Sequence, residues 1–153
     1  MQDSSARRPR SSSPGRPALV PRATIAGLQL TLLGGFRAVV NGRAVTDDAW
    51  PLRKARAVVK LLALAPGHRL EREQLLDVLW PDLAPRAAAN NLNHALHVAR
   101  RTLVGDGAAT ILVTHGSGLN LVASGPLWID VEAFEAAAAT ARRTSSMSEA
   151  PVA

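Results

Sequence analysis

One stretch, residues 87–103, reads AAANNLNHALHVARRTL and limits the fold more than any other. Leu92, Leu96, Ala99 and Leu103 recur at the spacing of an apolar stripe packed on a core. Turning by about 100° per residue, Asn90, His94, His97 and Arg101 fall on the opposite side, flanked by Asn93 and Val98. That outward face holds amides, imidazoles and a guanidinium and no carboxylate. Such groups can donate to base edges and phosphates, as a helix laid in a major groove must. A solvated helix face has the same composition, so the surroundings have to decide.

The 153 residues suit one domain of ordinary size with tails. There is no cysteine, which excludes disulfides and thiolate metal sites and suits a reducing, cytoplasmic setting. No run of about 18 apolar residues predicts a membrane span. Arg7-Arg8 resembles the start of a twin-arginine signal, but the apolar segment it needs does not follow, because residues 11–21 are rich in Ser and Pro. The net charge of +6 is unevenly spread. Residues 1–23 carry five arginines against one aspartate, whereas 24–141 carry eleven Lys and Arg against ten Asp and Glu. A nucleic-acid footprint must therefore be local rather than global.

Residues 1–23, dominated by Ser, Pro and Arg, predict a disordered basic tail. From Thr24, the alternation of Leu28, Leu30 and Leu32 with Gln29 and Thr31 predicts a half-buried strand. Gly34-Gly35 interrupts it, 36–40 resumes it, and Asn41-Gly42 is a hairpin signal because both residues tolerate positive φ. Residues 43–45 complete an antiparallel meander. One of Asp47, Asp48 or Ala49 is expected to cap the first helix, with Pro51 in its first turn. Over Arg53–Leu64 the buried stripe is Ala55, Val58, Val59 and Leu62, and Ala65-Pro66-Gly67 ends it. A second helix over about 71–79 presents Leu75, Leu76, Val78 and Leu79, with Leu70 stapled to its first turn. Gly105-Asp106-Gly107 stops the third helix. Residues 111–113 and 119–122 predict a hairpin through 114–118. Residues 131–141 begin an alanine-rich helix whose one large apolar residue is Phe134, and 142–153 predict a polar, disordered tail.

The fold class is therefore α+β, and the order βββ–ααα–β-hairpin with a two-faced third helix is that of a winged helix-turn-helix. The run Arg69-Leu70-Glu71-Arg72-Glu73-Gln74-Leu75-Leu76 through Leu79-Trp80, then 96–103, resembles the OmpR/PhoB-type winged-helix signature. Leu32-Leu33-Gly34-Gly35-Phe36, Trp80-Pro81-Asp82 and Ala89-Asn90-Asn91-Leu92 resemble more narrowly the N-terminal DNA-binding domain of SARP-type regulators. Those proteins join this domain to a bacterial transcriptional activator domain of helical repeats. The resemblance spans about residues 28–134 and divides the chain into the tail 1–23, a DNA-binding domain 24–124, a junction and first activator-domain helix 125–141, and the tail 142–153.

The resemblance implies a transcriptional regulator, most simply an activator, whose third helix enters the major groove while the wing reaches the adjacent minor groove. It assigns base-edge or phosphate contact to Asn91, His94, His97 and Arg101, phosphate contact to Arg100 and Arg72, and the wing tip to His115 and Ser117. Arg72 in a first helical turn agrees with this, since free amides there also favour an anion. The sequence departs from the family at Val98, where Arg is common, at Ala99, where Leu is common, and at His115, where Arg is common. Fewer phosphate contacts mean weaker binding and a shallower salt slope. The resemblance further implies binding to direct repeats of double-stranded DNA, as a dimer on that DNA. Without the repeat domain, contact with RNA polymerase would fall to the DNA-binding domain itself, around residues 80–85, although a loop that links two helices needs no such function. Trp128-Ile129-Asp130 with Val131-Glu132-Ala133-Phe134-Glu135 resembles the entry to the activator domain. The expectation is then either a fragment of a longer regulator or a stand-alone DNA-binding module.

An enzyme would need a constellation that is missing. His115-Gly116-Ser117-Gly118 lacks the leading glycine of a nucleophile elbow, and neither a third glycine nor a helix follows to make a dinucleotide fingerprint. His94 and His97 share a helix face, but no third metal ligand is suitably spaced. No catalytic residue, cofactor or metal is expected. The rival reading is a winged helix that binds protein, using the alanine-rich helix and Phe134.

Overall fold

A computed structural model describes residues 27–104 and 111–148. The expectations for the tail 1–23, for Thr24 as the start of order, for Gly105-Asp106-Gly107 and for 149–153 lie outside the described residues. Within them the fold is α+β, as expected, with helices packed against two small sheets.

The first sheet begins with β1 (Leu28–Thr31), β2 (Arg37–Val40) and β3 (Arg43–Val45) as an antiparallel meander. Leu28 pairs with Val40 and Leu30 with Ala38, so the buried residues of both strands share one face. Asn41 and Gly42 both hold positive φ, at 48° and 83°, which is what a tight primed turn between twisted strands requires. Asn41 also accepts a hydrogen bond from the Gly27 amide through Oδ1, at 2.9 Å.

A 3-10 turn at Asp47–Ala49 and Pro51 lead into α1 (Arg53–Leu64). The capping expectation is corrected here: the N-cap of α1 is Leu52, and Asp47 to Ala49 form their own turn. The buried stripe of α1 is the expected one with Ala63 added. Gly67, at φ 63°, then turns the chain into a short strand, β4 (Arg69–Glu71), which precedes α2 (Arg72–Leu79). On α2 only Leu75 and Leu79 are buried, and Leu76 is half-buried. Val78, expected on the apolar face, is 62% exposed. It lies about 100° around the helix from Leu79, and the core covers only the Leu75–Leu79 side.

Next come α3 (Pro85–Val104), β5 (Leu112–His115) and β6 (Gly118–Leu121). The hairpin loop is tighter than the five residues expected, because Thr114 and His115 continue the ladder and His115 pairs with Gly118. The turn is Gly116-Ser117, with Gly116 at φ 60°. A second sheet results, in the order β4-β6-β5.

Residues 125–141, expected as a junction leading into a helix, first contribute a strand. This β7 (Leu127–Ile129) pairs in parallel with β1, making the first sheet β3-β2-β1-β7. The approach is close enough that a Cβ at Gly27 would stand 2.3 Å from the Pro126 carbonyl oxygen, so the position requires glycine. Asp130 then accepts the backbone amides of Leu32 and Leu33, one on each carboxylate oxygen and both at 2.9 Å. It opens α4 (Asp130–Ser148), which buries no residue and continues through Ser148 where a disordered tail from residue 142 was expected. The run of alanines and the absence of Gly or Pro between 130 and 148 favour continued helix. His68 holds α4 to the end of α1, with Nε2 3.0 Å from Glu132 Oε1 and Nδ1 3.1 Å from the Ala63 carbonyl.

One core joins these parts. Leu28, Leu30 and Ile129 from the first sheet, Val58 and Leu62 from α1, Leu75 from α2, Leu92, Leu96 and Leu103 from α3, and Leu112 and Leu119 from the hairpin belong to one buried cluster. No helix among the described residues is long and apolar enough to cross a membrane.

Candidate nucleic-acid interface

The helix α3 is seated by a buried row of Ala88, Leu92, Ala95, Leu96, Ala99 and Leu103. Because that row is fixed in the core, the opposite row must face outward. Asn90, Asn91, Asn93, His94, His97 and Arg101 are all exposed. Val98 is half-buried and packs against the core, so its side chain is not part of the open face. Starting at Pro85 rather than Ala87, the helix brings in a residue that the sequence reading missed. Arg86 is exposed four positions before Asn90 and so lies on the same arc one turn earlier. Pro85 was the available signal, since proline is favoured at the first helical position. Between Arg86 and Arg101 the row spans about 22 Å at 1.5 Å per residue. The whole of α3 contains no Asp or Glu.

The end of α3 is fixed by cations. Arg43 reaches from β3 to donate to the Leu103 carbonyl at 2.6 Å, which satisfies a terminal carbonyl and complements the negative helix end. Arg100, expected as a phosphate contact, donates through Nε to the Leu112 carbonyl at 2.9 Å and through a terminal nitrogen to Thr114 Oγ1 at 3.3 Å. Its guanidinium thus ties α3 to β5. The Arg101 side chain takes part in none of the side-chain hydrogen bonds or ion pairs among the described residues, and it is exposed.

The hairpin tip is bound to the start of α2. The Arg72 amide donates to the Ser117 carbonyl at 2.9 Å. The Ser117 hydroxyl donates to Glu71 Oε2 at 2.5 Å, and Arg69 donates to Glu71 Oε1 at 3.0 Å. Glu71 in turn donates its own amide to Gln74 Oε1 at 2.8 Å, half of a capping box around the first turn of α2. Of the two residues expected at the tip, His115 is exposed with its side chain free of hydrogen bonds among the described residues. Ser117 is exposed but turned onto Glu71. Arg72 is half-buried and donates to Asn93 Oδ1 at 2.7 Å, so α2 and α3 meet at this pair.

The hydroxyl of Ser117 first, and the Arg69 guanidinium second, hold the Glu71 carboxyl below its ordinary value of 4.5. A lowered carboxyl contributes stability above the ordinary carboxylate range, and that contribution is lost as pH falls through the folded value. Ser117→Ala should therefore raise the Glu71 titration midpoint toward 4.5, read by carboxyl-carbon NMR. An unchanged midpoint would show that the tip is not held through this hydroxyl.

Among the described residues no three His, Cys, Asp or Glu side chains gather where they could hold a metal ion. The arrangement presents a row of hydrogen-bond donors on a firmly seated helix, beside a hairpin whose tip is anchored to the neighbouring helix. No family model matches the chain. Over 129 residues it is 34% identical to Regulatory protein DnrI of Streptomyces peucetius, a match covering 80% of this chain and 46% of that protein. The chain thus spans less than half the length of this curated relative.

Proposed function

We propose that this chain is a sequence-specific DNA-binding transcriptional regulator of the SARP type. In this reading the fold is an OmpR/PhoB-type winged helix-turn-helix, with α2 and α3 as the helix-turn-helix and the β5–β6 hairpin as the wing. The helix α3 lies in the major groove and the hairpin reaches the adjacent minor groove. The observation that carries the reading is the open, carboxylate-free row of Arg86, Asn90, His94, His97 and Arg101. Its amides and imidazoles suit purine edges, and its guanidiniums suit guanine or phosphate. The similarity to a regulatory protein supports the same reading.

Base-edge or phosphate contact falls to Asn91, His94, His97 and Arg101, now joined by Arg86. Arg72 and Arg100 are committed within the fold, so their phosphate contacts would be shared with Asn93 and with the hairpin. The partner is double-stranded DNA bearing direct repeats, bound by two chains side by side in the cytoplasm. RNA polymerase is the further partner of an activator, and neither catalysis nor a cofactor has a part. A protein-binding module is the second reading, favoured by one observation: α4 buries no residue, and its Phe134 is 64% exposed.

The test is a pull-down of genomic DNA fragments by the purified chain at two salt concentrations. Recovery of a few fragments sharing a direct repeat, with affinity falling as salt rises, is the expected result. Uniform recovery that ignores sequence would reduce the DNA contact to nonspecific charge and leave the module reading ahead.

A further inference from the structure

Asn93 stands on the flank of the α3 row, about 40° around the helix from His97. A carboxamide offers two different arms, an oxygen that accepts and an amine that donates twice. The Arg72 guanidinium occupies the oxygen at 2.7 Å, and none of the hydrogen bonds among the described residues uses the amine. Arg72 is itself held at both ends: its backbone amide is bonded to the Ser117 carbonyl on the hairpin, and its guanidinium is bonded to Asn93. The orientation of the Asn93 amide is therefore set by a neighbour fixed in the fold.

We infer that Arg72 locks the polarity of the Asn93 carboxamide, so that Asn93 reads DNA as a donor and favours guanine over adenine. The inference rests on the DNA-binding reading above. A free asparagine pairs with adenine through both arms, giving a hydrogen bond to N7 and accepting one from the N6 amine. With one lone pair of Oδ1 committed to the Arg72 guanidinium, only the second remains for adenine, and the adjacent positive charge disfavours an amino group approaching it. The O6 and N7 acceptors of guanine meet a donor and a positive charge instead. Arg72 is thus a positioning residue, and Asn93 a specificity-determining one.

The experiment is selection of binding sites from a random duplex pool by the whole chain and by three variants: Arg72→Met, Asn93→Ala and Asn93→Asp. Asn93 is exposed and Arg72 only half-buried, so the core is untouched by all three. The wild-type chain should select guanine at one position of each half-site. Arg72→Met frees the oxygen and should move that position toward adenine by about tenfold, leaving the other positions unchanged. Asn93→Ala should erase the preference at the same position. Asn93→Asp keeps a partner for Arg72 but removes the donor, and should turn the position against guanine. An unchanged base preference at that position in Arg72→Met, whatever the change in overall affinity, would overturn the inference alone. A wild-type chain that selects no sequence would overturn the DNA-binding reading together with it.

Discussion

Leu92→Ala should destabilise the protein by about 2–5 kcal/mol, the range for removing a fully buried leucine side chain where the cavity cannot collapse. Leu92 has no exposed surface and belongs to the cluster that includes α1, α2 and both sheets. It also stands between Asn91 and Asn93, at the centre of the helix that presents the candidate contacts. The melting temperature should fall by roughly ten degrees or more for a domain of this size. The residual folded fraction should bind DNA more weakly, because a tilted α3 displaces its outward row. Thermal and urea unfolding measure the first effect. A loss below about 1 kcal/mol would mean that α3 is held by its ends, through Pro85 and the Arg43 contact, rather than by its apolar row.

Arg101→Ala has the opposite profile. Its side chain is exposed and makes none of the contacts that hold α3 in place, so the melting temperature should stay within a degree or so of the wild type. DNA affinity should fall ten- to a hundredfold, the effect of deleting one good base or phosphate contact. The pattern of the loss separates the two contacts: base contact relaxes selectivity at one position, whereas phosphate contact weakens all sequences alike and lowers the salt slope by about one. Affinity within twofold of the wild type would remove Arg101 from the interface. Arg100 is the informative neighbour. Its guanidinium is bonded to Leu112 and Thr114, so Arg100→Ala acts on the fold and on binding together.

Much of the fold is legible in the sequence because its signals are local. The alternation at Leu28 and Leu30, the Asn41-Gly42 turn, and the stripes of α1 and α3 follow from periodicity and from turn residues that tolerate positive φ. The outward row of α3 is legible for the same reason, since naming the buried face of a helix also names the open one. Arg86 escaped because helix ends are poorly marked when no side-chain cap precedes them. The strands β4 and β7 escaped for a different reason. Each has three residues, too few to show a period, and each exists only because a distant strand offers hydrogen bonds.

By itself, then, the sequence determined the buried stripes of α1 and α3, the tight turn at Asn41-Gly42, and that one helix turns a carboxylate-free face outward. These properties depend on residues within a turn or two of one another. Only the tertiary structure decided that β7 returns to β1 across nearly a hundred residues, that Asp130 holds Leu32 and Leu33, and that Arg100 serves the hairpin. It also decided that Arg72 meets Asn93 rather than standing free. An arginine carries five donors on a long side chain, and its partners are set by whatever acceptors the fold brings within reach. Whether a guanidinium supports the protein or meets a ligand is therefore a property of the packed chain.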